Sequence, residues 1–275
     1  MPPRADERVQ YGPEKSHIAD LRLPSGPGPH PVVAVIHGGY WRARYDLTYT
    51  GHLAAALTAR GYATWNIEYR RLGNGGGWPE TFQDVALAID ALRTIAKHRS
   101  LDLERVVALG HSAGGQLALW LAGRAQLSMD CPLYSPNPLA LRGIISLAGV
   151  TDLRRGSELG LSGGVVDELL GGSPLEVPDR YDAASPYHLL PLGVPQMVLH
   201  GTADSSVPYD LAARYVDRAK ASGDDARLVT LLDTGHFEPV DPGSAQWKVV
   251  LDAVQTLQQR PIRTGKGIAK RRSEF

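Results

Sequence analysis

Gly110-His111-Ser112-Ala113-Gly114 fits G-x-S-x-G and stands between a short apolar run, "RVVALG", and the amphipathic run "AGGQLALWLAGRA". That setting, a strand turning sharply into a helix, is the one in which the motif lifts a serine hydroxyl out of a sheet. The helix N-terminus is then aimed at the same point. A serine hydroxyl is a weak nucleophile at neutral pH, so it needs a base and a group that orients the base. In this setting the partners follow in the chain order serine, acid, histidine. Asp204 lies just past the apolar run "PQMVLHG", and His236 lies in the loop after "ARLVTLL". Both are predicted at carboxyl ends of strands, on the sheet edge that carries Ser112. The predicted proton path runs from Ser112 to His236, with Asp204 fixing the imidazole tautomer and stabilising its cation. Asp152, Asp210 and Asp233 compete for the acid's place. Asp152 follows another strand and is the main substitute, whereas Asp233 stands too near His236 in the same loop.

The remaining histidines sort by position. His17, His30, His52 and His98 fall in terminal, turn or helical stretches and are expected at the surface or in packing. His37 and His200 each precede a glycine at a strand end, where a ring nitrogen can tie down a loop. His111 adjoins the nucleophile, and the elbow is expected to point its ring elsewhere. His188 lies in an inserted segment. No pair has metal-ligand spacing, so neither a metal nor another cofactor is expected. Cys131, the one cysteine, has no activating neighbour and excludes an internal disulfide.

The elements that must position these groups alternate. Strands are expected at His17–Leu23, Val32–Ile36, Ala63–Arg70, Arg105–Gly110, Gly143–Gly149, Pro195–Gly201 and "ARLVTLL". Helices are expected over Thr48–Arg60, over Thr81–Lys97 with apolar residues three and four apart, behind Ser112, over "VPYDLAARYVDRAKASG" and over "SAQWKVVLDAVQTLQQ". Apolar strands alternating with helices imply an α/β fold with a mostly parallel sheet covered on both faces. Residues 1–259 are read as a single domain. Thr151–Pro191 interrupts the rhythm after a strand and is read as a cap-like insertion with one or two short helices, forming a pocket wall. The basic run 260–275, "RPIRTGKGIAKRRSEF", is expected to be a disordered tail.

The chain has 275 residues, 43% hydrophobic, with 29 basic and 29 acidic side chains. A formal net charge of zero gives no electrostatic basis for binding nucleic acid or an anionic membrane. The N-terminal stretch is charged and proline-containing, without a signal-peptide core, and no apolar run approaches the roughly 20 residues that span a bilayer. A cytoplasmic protein acting on a small molecule is the expectation.

"HGGYW", "GHSAGG", "HGTADSSVP" and "DTGHF", in that order, resemble the α/β-hydrolase fold over approximately Val9 to Gln259. Within it, "HGGYW" is similar to the H-G-G-x-W motif of kynurenine formamidases and related bacterial esterases. The resemblance implies an oxyanion hole formed by the backbone N–H groups of Gly39 and Tyr40, joined by that of Ala113. It also implies acyl transfer to water through an acyl-enzyme on Ser112. The glycines of "HGGYW" are then expected to leave room for a substrate oxyanion close to the backbone. Tyr40, Trp41 and Trp78 could form an aromatic wall, with His111 and His188 as further pocket candidates, although Trp41 could equally pack its loop against the sheet. Cleavage of carboxylic esters with small to medium acyl or aryl groups is the leading expectation. Hydrolysis of N-formylkynurenine by the same residues is the alternative. Acylaminoacyl-peptidase-like amide hydrolysis and a non-catalytic scaffold stand behind it.

Overall fold

A computed structural model describes residues 1–260, so the expected tail, apart from Arg260, lies outside the described residues. One eight-stranded sheet organises the chain, comprising β1 (Glu7–Gln10), β2 (Ile18–Arg22), β3 (His30–Ile36), β4 (Ala63–Ile67), β5 (Leu101–His111), β6 (Gly143–Leu147), β7 (Gln196–Gly201) and β8 (Ala226–Leu231). Its order is β1-β2-β4-β3-β5-β6-β7-β8. The pairs β1–β2 and β2–β4 are antiparallel and every other pair is parallel. This is the α/β-hydrolase arrangement that the alternation and motifs predict.

Strand periodicity divides the core. On β3, Val32, Ala34 and Ile36 face one apolar cluster while Val33 and Val35 face the other; on β5, Val106 and Ala108 oppose Val107 and Leu109. The first cluster is covered by α2 (Glu80–Asp90), α3 (Leu92–Arg99), α4 (Ala113–Gly123) and α8 (Tyr209–Ala221), and the second by α1 (Gly51–Thr58) and α9 (Trp247–Gln258). A strand buried on both faces must read as a continuous apolar run, and residues 32–36 of β3 and 106–109 of β5 do, whereas the start of β5 carries the partly exposed Asp102, Glu104 and Arg105.

Several local readings differ from expectation: the helix expected over Thr81–Lys97 breaks at Ala91 into α2 and α3, and β5 starts at Leu101, ahead of the expected Arg105. β1 is a short, half-exposed edge strand whose charged sequence carries no apolar signal; its Arg8 pairs across the strand with Asp20 at 2.7 Å. The helix expected over Thr48–Arg60 opens as a 3-10 turn at Leu47–Thr50, capped by the Asp46 side chain, before α1 begins. Residues 151–191 hold α5 (Leu153–Glu158), α6 (Leu161–Leu170) and α7 (Pro178–Ala184), one helix more than expected. Val165, Leu169, Tyr181 and Ala184 of this insertion are buried in the cluster that contains β3 and α4. Gln116 of α4 donates to the Ala184 carbonyl at 2.9 Å and Trp120 to that of Ala183 at 3.0 Å.

Candidate active site

Ser112 joins β5 to α4 with φ 55° and ψ −119°, a backbone conformation that residues other than glycine rarely adopt. The turn is held by close backbone packing. A Cβ on Gly110 would overlap the Gly114 carbonyl, and one on Gly114 would overlap the carbonyls of Ile36 and His37. The flanking glycines therefore let β5, α4 and the end of β3 meet at the serine.

Asp204 follows β7, and its side chain is fully buried. Oδ1 accepts the backbone N–H groups of Ser206 (2.8 Å) and Val207 (2.9 Å). Oδ2 lies 2.7 Å from His236 Nδ1 and 3.2 Å from His200 Nε2. Burial disfavours the charge, but the bonds from His200, His236 and Val207 outweigh it and hold the carboxyl well below the usual carboxylate range. An ionised carboxylate only accepts, so His236 Nδ1 carries a proton and Nε2 keeps its lone pair, the tautomer a general base requires. His236 sits in the loop after β8, itself nearly buried but followed by Phe237, which is 57% exposed.

None of the competing acids pairs with His236 among the described residues. Asp152 caps α5 by accepting from Arg155 N–H at 3.2 Å, Asp210 lies exposed in the first turn of α8, and Asp233 is exposed.

Gly39, Tyr40 and Trp41 have successive positive φ values of 108°, 52° and 52°. Among the described residues, the backbone N–H groups of Gly39, Tyr40 and Ala113 have no protein acceptor. The glycines of "HGGYW", however, answer first to protein neighbours. A Cβ on Gly38 would meet the His111 carbonyl at 2.7 Å and Ser112 Cβ at 3.0 Å; one on Gly39 would meet the Tyr45 ring at 2.6 Å. Packing against the elbow and against Tyr45 thus requires them before any ligand does.

The pocket candidates separate. Trp41 is fully buried and donates its indole N–H to Gln116 Oε1 at 3.2 Å, so it packs its loop against α4 and offers no wall to a substrate. Trp78 is partly buried, edge-on to Phe82 at 5.8 Å and against the core. His188 is exposed in the chain between α7 and β7, its ring 5.7 Å from that of Tyr187. Tyr40 is half-buried, and its hydroxyl donates to the Ser206 carbonyl at 2.5 Å, tying the loop after β3 to the loop that carries Asp204. His111 does not point away from the site as expected: its ring centroid is 4.7 Å from that of His236.

His37 spans the Gly38 carbonyl (2.8 Å) and the Glu68 carboxylate (3.0 Å), as a loop anchor would. His200 Nε2 also lies 2.9 Å from the Val207 carbonyl, bracing the acid's loop. Tyr49, whose hydroxyl reaches His111 Nδ1 at 2.6 Å, carried no signal in the sequence because it sits in an ordinary helical stretch. Among the described residues, no group of three or more His, Cys, Asp or Glu side chains is placed to hold a metal, and no helix is long and apolar enough to cross a membrane.

The chain is similar to esterase LipC of Mycobacterium tuberculosis, 25% identical over 260 residues that cover 90% of this chain and 61% of LipC. It spans between 50% and 61% of the length of LipC and of the plant isoprenylcysteine methylesterases it also matches. Among solved structures, a truncated carbohydrate esterase from gut microbiota superposes with a TM-score of 0.77 at 20% identity, covering 92% of this chain and 95% of that one. Esterase 2 of Thermogutta terrifontis superposes at 0.74 with 21% identity, over 93% and 92% of the two chains. At these identities the structures speak for the fold alone. The sequence pattern of the BD-FAE family matches residues 19–217, and the chain belongs to that family of α/β-hydrolase esterases.

Proposed function

We propose that the protein is a serine hydrolase that cleaves carboxylic esters of small to medium acyl or aryl groups through an acyl-enzyme. The reading is carried by the buried 2.7 Å contact between Asp204 and His236 Nδ1, in loops on the sheet edge where the strained Ser112 turn stands. Ser112 Oγ attacks the ester carbonyl as His236 Nε2 takes its proton. The oxyanion is held by N–H groups of Gly39, Tyr40 and Ala113, and the His236 proton then passes to the departing alkoxide. Water, deprotonated by His236, attacks the acyl-enzyme; the acyl–Ser112 bond breaks, His236 returns the proton to Ser112 Oγ and the acid is freed. Asp204 stays ionised throughout and stabilises the imidazolium. Membership of an esterase family supports an ester as substrate. The formamide reading draws on "HGGYW" alone, and none of the relatives named above is described as a formamidase.

Short p-nitrophenyl esters, aryl esters and N-formylkynurenine, compared side by side, test the substrate class. Ser112→Ala should lower kcat by about 10⁵- to 10⁶-fold and abolish labelling by a fluorophosphonate. Turnover or labelling that survives this substitution would remove the mechanism, and efficient turnover confined to N-formylkynurenine would replace the substrate.

A further inference from the structure

We propose that His111, held by Tyr49, is a positioning residue that fixes the main chain of the catalytic base. This rests on the role given to His236 above. His111 is buried, and its two ring nitrogens are both engaged. Nε2 lies 2.8 Å from the main-chain oxygen of His236, and Nδ1 lies 2.6 Å from the Tyr49 hydroxyl. A carbonyl oxygen only accepts, so Nε2 carries the hydrogen. In the neutral ring Nδ1 then has a lone pair, which the Tyr49 hydroxyl fills. The chain of bonds has one polarity: Tyr49 O–H to His111 Nδ1, then His111 Nε2–H to the His236 carbonyl.

His236 needs such an anchor. Asp204 holds its ring, and the buried Thr234 ties the start of the loop to the strand end before Asp204 through the Ala203 N–H at 3.0 Å; past His236 the chain turns out to Phe237, 57% exposed, so the main chain at the histidine itself is held by the bond from His111. Phe237 folds over the same group, 6.0 Å from the His111 ring and edge-on to Tyr49 at 6.4 Å. The neighbour must also be uncharged, because His236 becomes a cation in each half-reaction and the two rings are 4.7 Å apart. Burial, with His236 beside it, pushes the His111 pKa down to about 3, so this ring is uncharged at neutral pH. A small shift of a base relative to its nucleophile costs up to about 100-fold in rate, which makes a single main-chain bond worth preserving.

Three variants test this, with kcat and KM on a p-nitrophenyl ester, fluorophosphonate labelling rate, melting temperature and hydrogen exchange over residues 232–238. His111→Leu removes the donor and should lower kcat and the labelling rate by about 10- to 100-fold, leave KM within about twofold, and speed exchange in the loop. His111→Gln can place its amide N–H where Nε2–H was and should recover most of the lost rate. Tyr49→Phe should fall between the wild type and His111→Leu. A folded His111→Leu variant with unchanged kcat and unchanged exchange, or a Gln variant as slow as the Leu variant, would overturn the proposal. If the wild-type protein is not labelled at Ser112, the hydrolase reading fails instead. The exchange measurement then still decides whether His111 holds the loop.

Discussion

Asp204 is the residue on which most of the polar geometry converges: two backbone N–H groups meet one oxygen and two imidazoles the other. Replacing it with Asn keeps the volume but turns an acceptor into a partial donor, so His236 would lose the reason to hold its proton on Nδ1. Asp204→Asn should therefore reduce kcat by about 10⁴-fold with little change in KM, measured on the same ester panel. His111 makes a separate prediction about stability. Its folded pKa, about 3, lies below the ordinary histidine value, so between those values the unfolded chain binds more protons. The resulting stability is present in full above about pH 6.5 and drains away as pH falls towards 3. Melting temperature should fall across that window, and His111→Gln should fall less steeply. Parallel curves for the two proteins would refute the assignment. The positions of Ser112, Asp204 and His236 at strand ends were legible because each follows a short apolar run. The contacts that brace them were not: Tyr49–His111 and Tyr40–Ser206 join residues 62 and 166 positions apart, with no local pattern to announce them.

At the scale of elements, the loop after β3 is the most constrained segment. Three successive residues in left-handed backbone are held by Trp41 plugged into α4, by His37 against Glu68, and by the Tyr40 hydroxyl on Ser206. An Arg42–Glu168 pair at 2.8 Å adds a half-exposed link to α6 of the insertion, of the kind worth little by itself. Tyr40→Phe removes the bond between the two loops while keeping the backbone N–H. A hydrogen bond of this sort contributes about 1 kcal/mol, so kcat should drop by about fivefold, with the ring's packing intact. If Tyr40→Phe changes KM across acyl lengths and leaves kcat alone, the ring selects substrate and the link is incidental. The sequence exposed the need for glycine at 38 and 39 but not its cause, because Tyr45 and the His111 carbonyl reach those positions only through the tertiary fold.

On the whole molecule, the parallel sheet and its two apolar clusters were readable from alternating strands and helices, whereas β1 was not, since an edge strand with one protected face needs few apolar residues. The order of the sheet also places the three residues of the proposed triad unequally. Ser112 leaves β5 with neighbours on both sides, but His236 leaves β8, which pairs with β7 alone. An outermost strand can peel from its neighbour without disturbing the centre. On heating, ester turnover should therefore be lost at a lower temperature than the near-ultraviolet signal of the buried tryptophans Trp41, Trp65 and Trp120. Coincident midpoints would show that the sheet melts as one. With separate midpoints, the heat tolerance of the proposed activity is set at the rim of the sheet, and improving it means stitching down the last strand while leaving a core that already outlasts it.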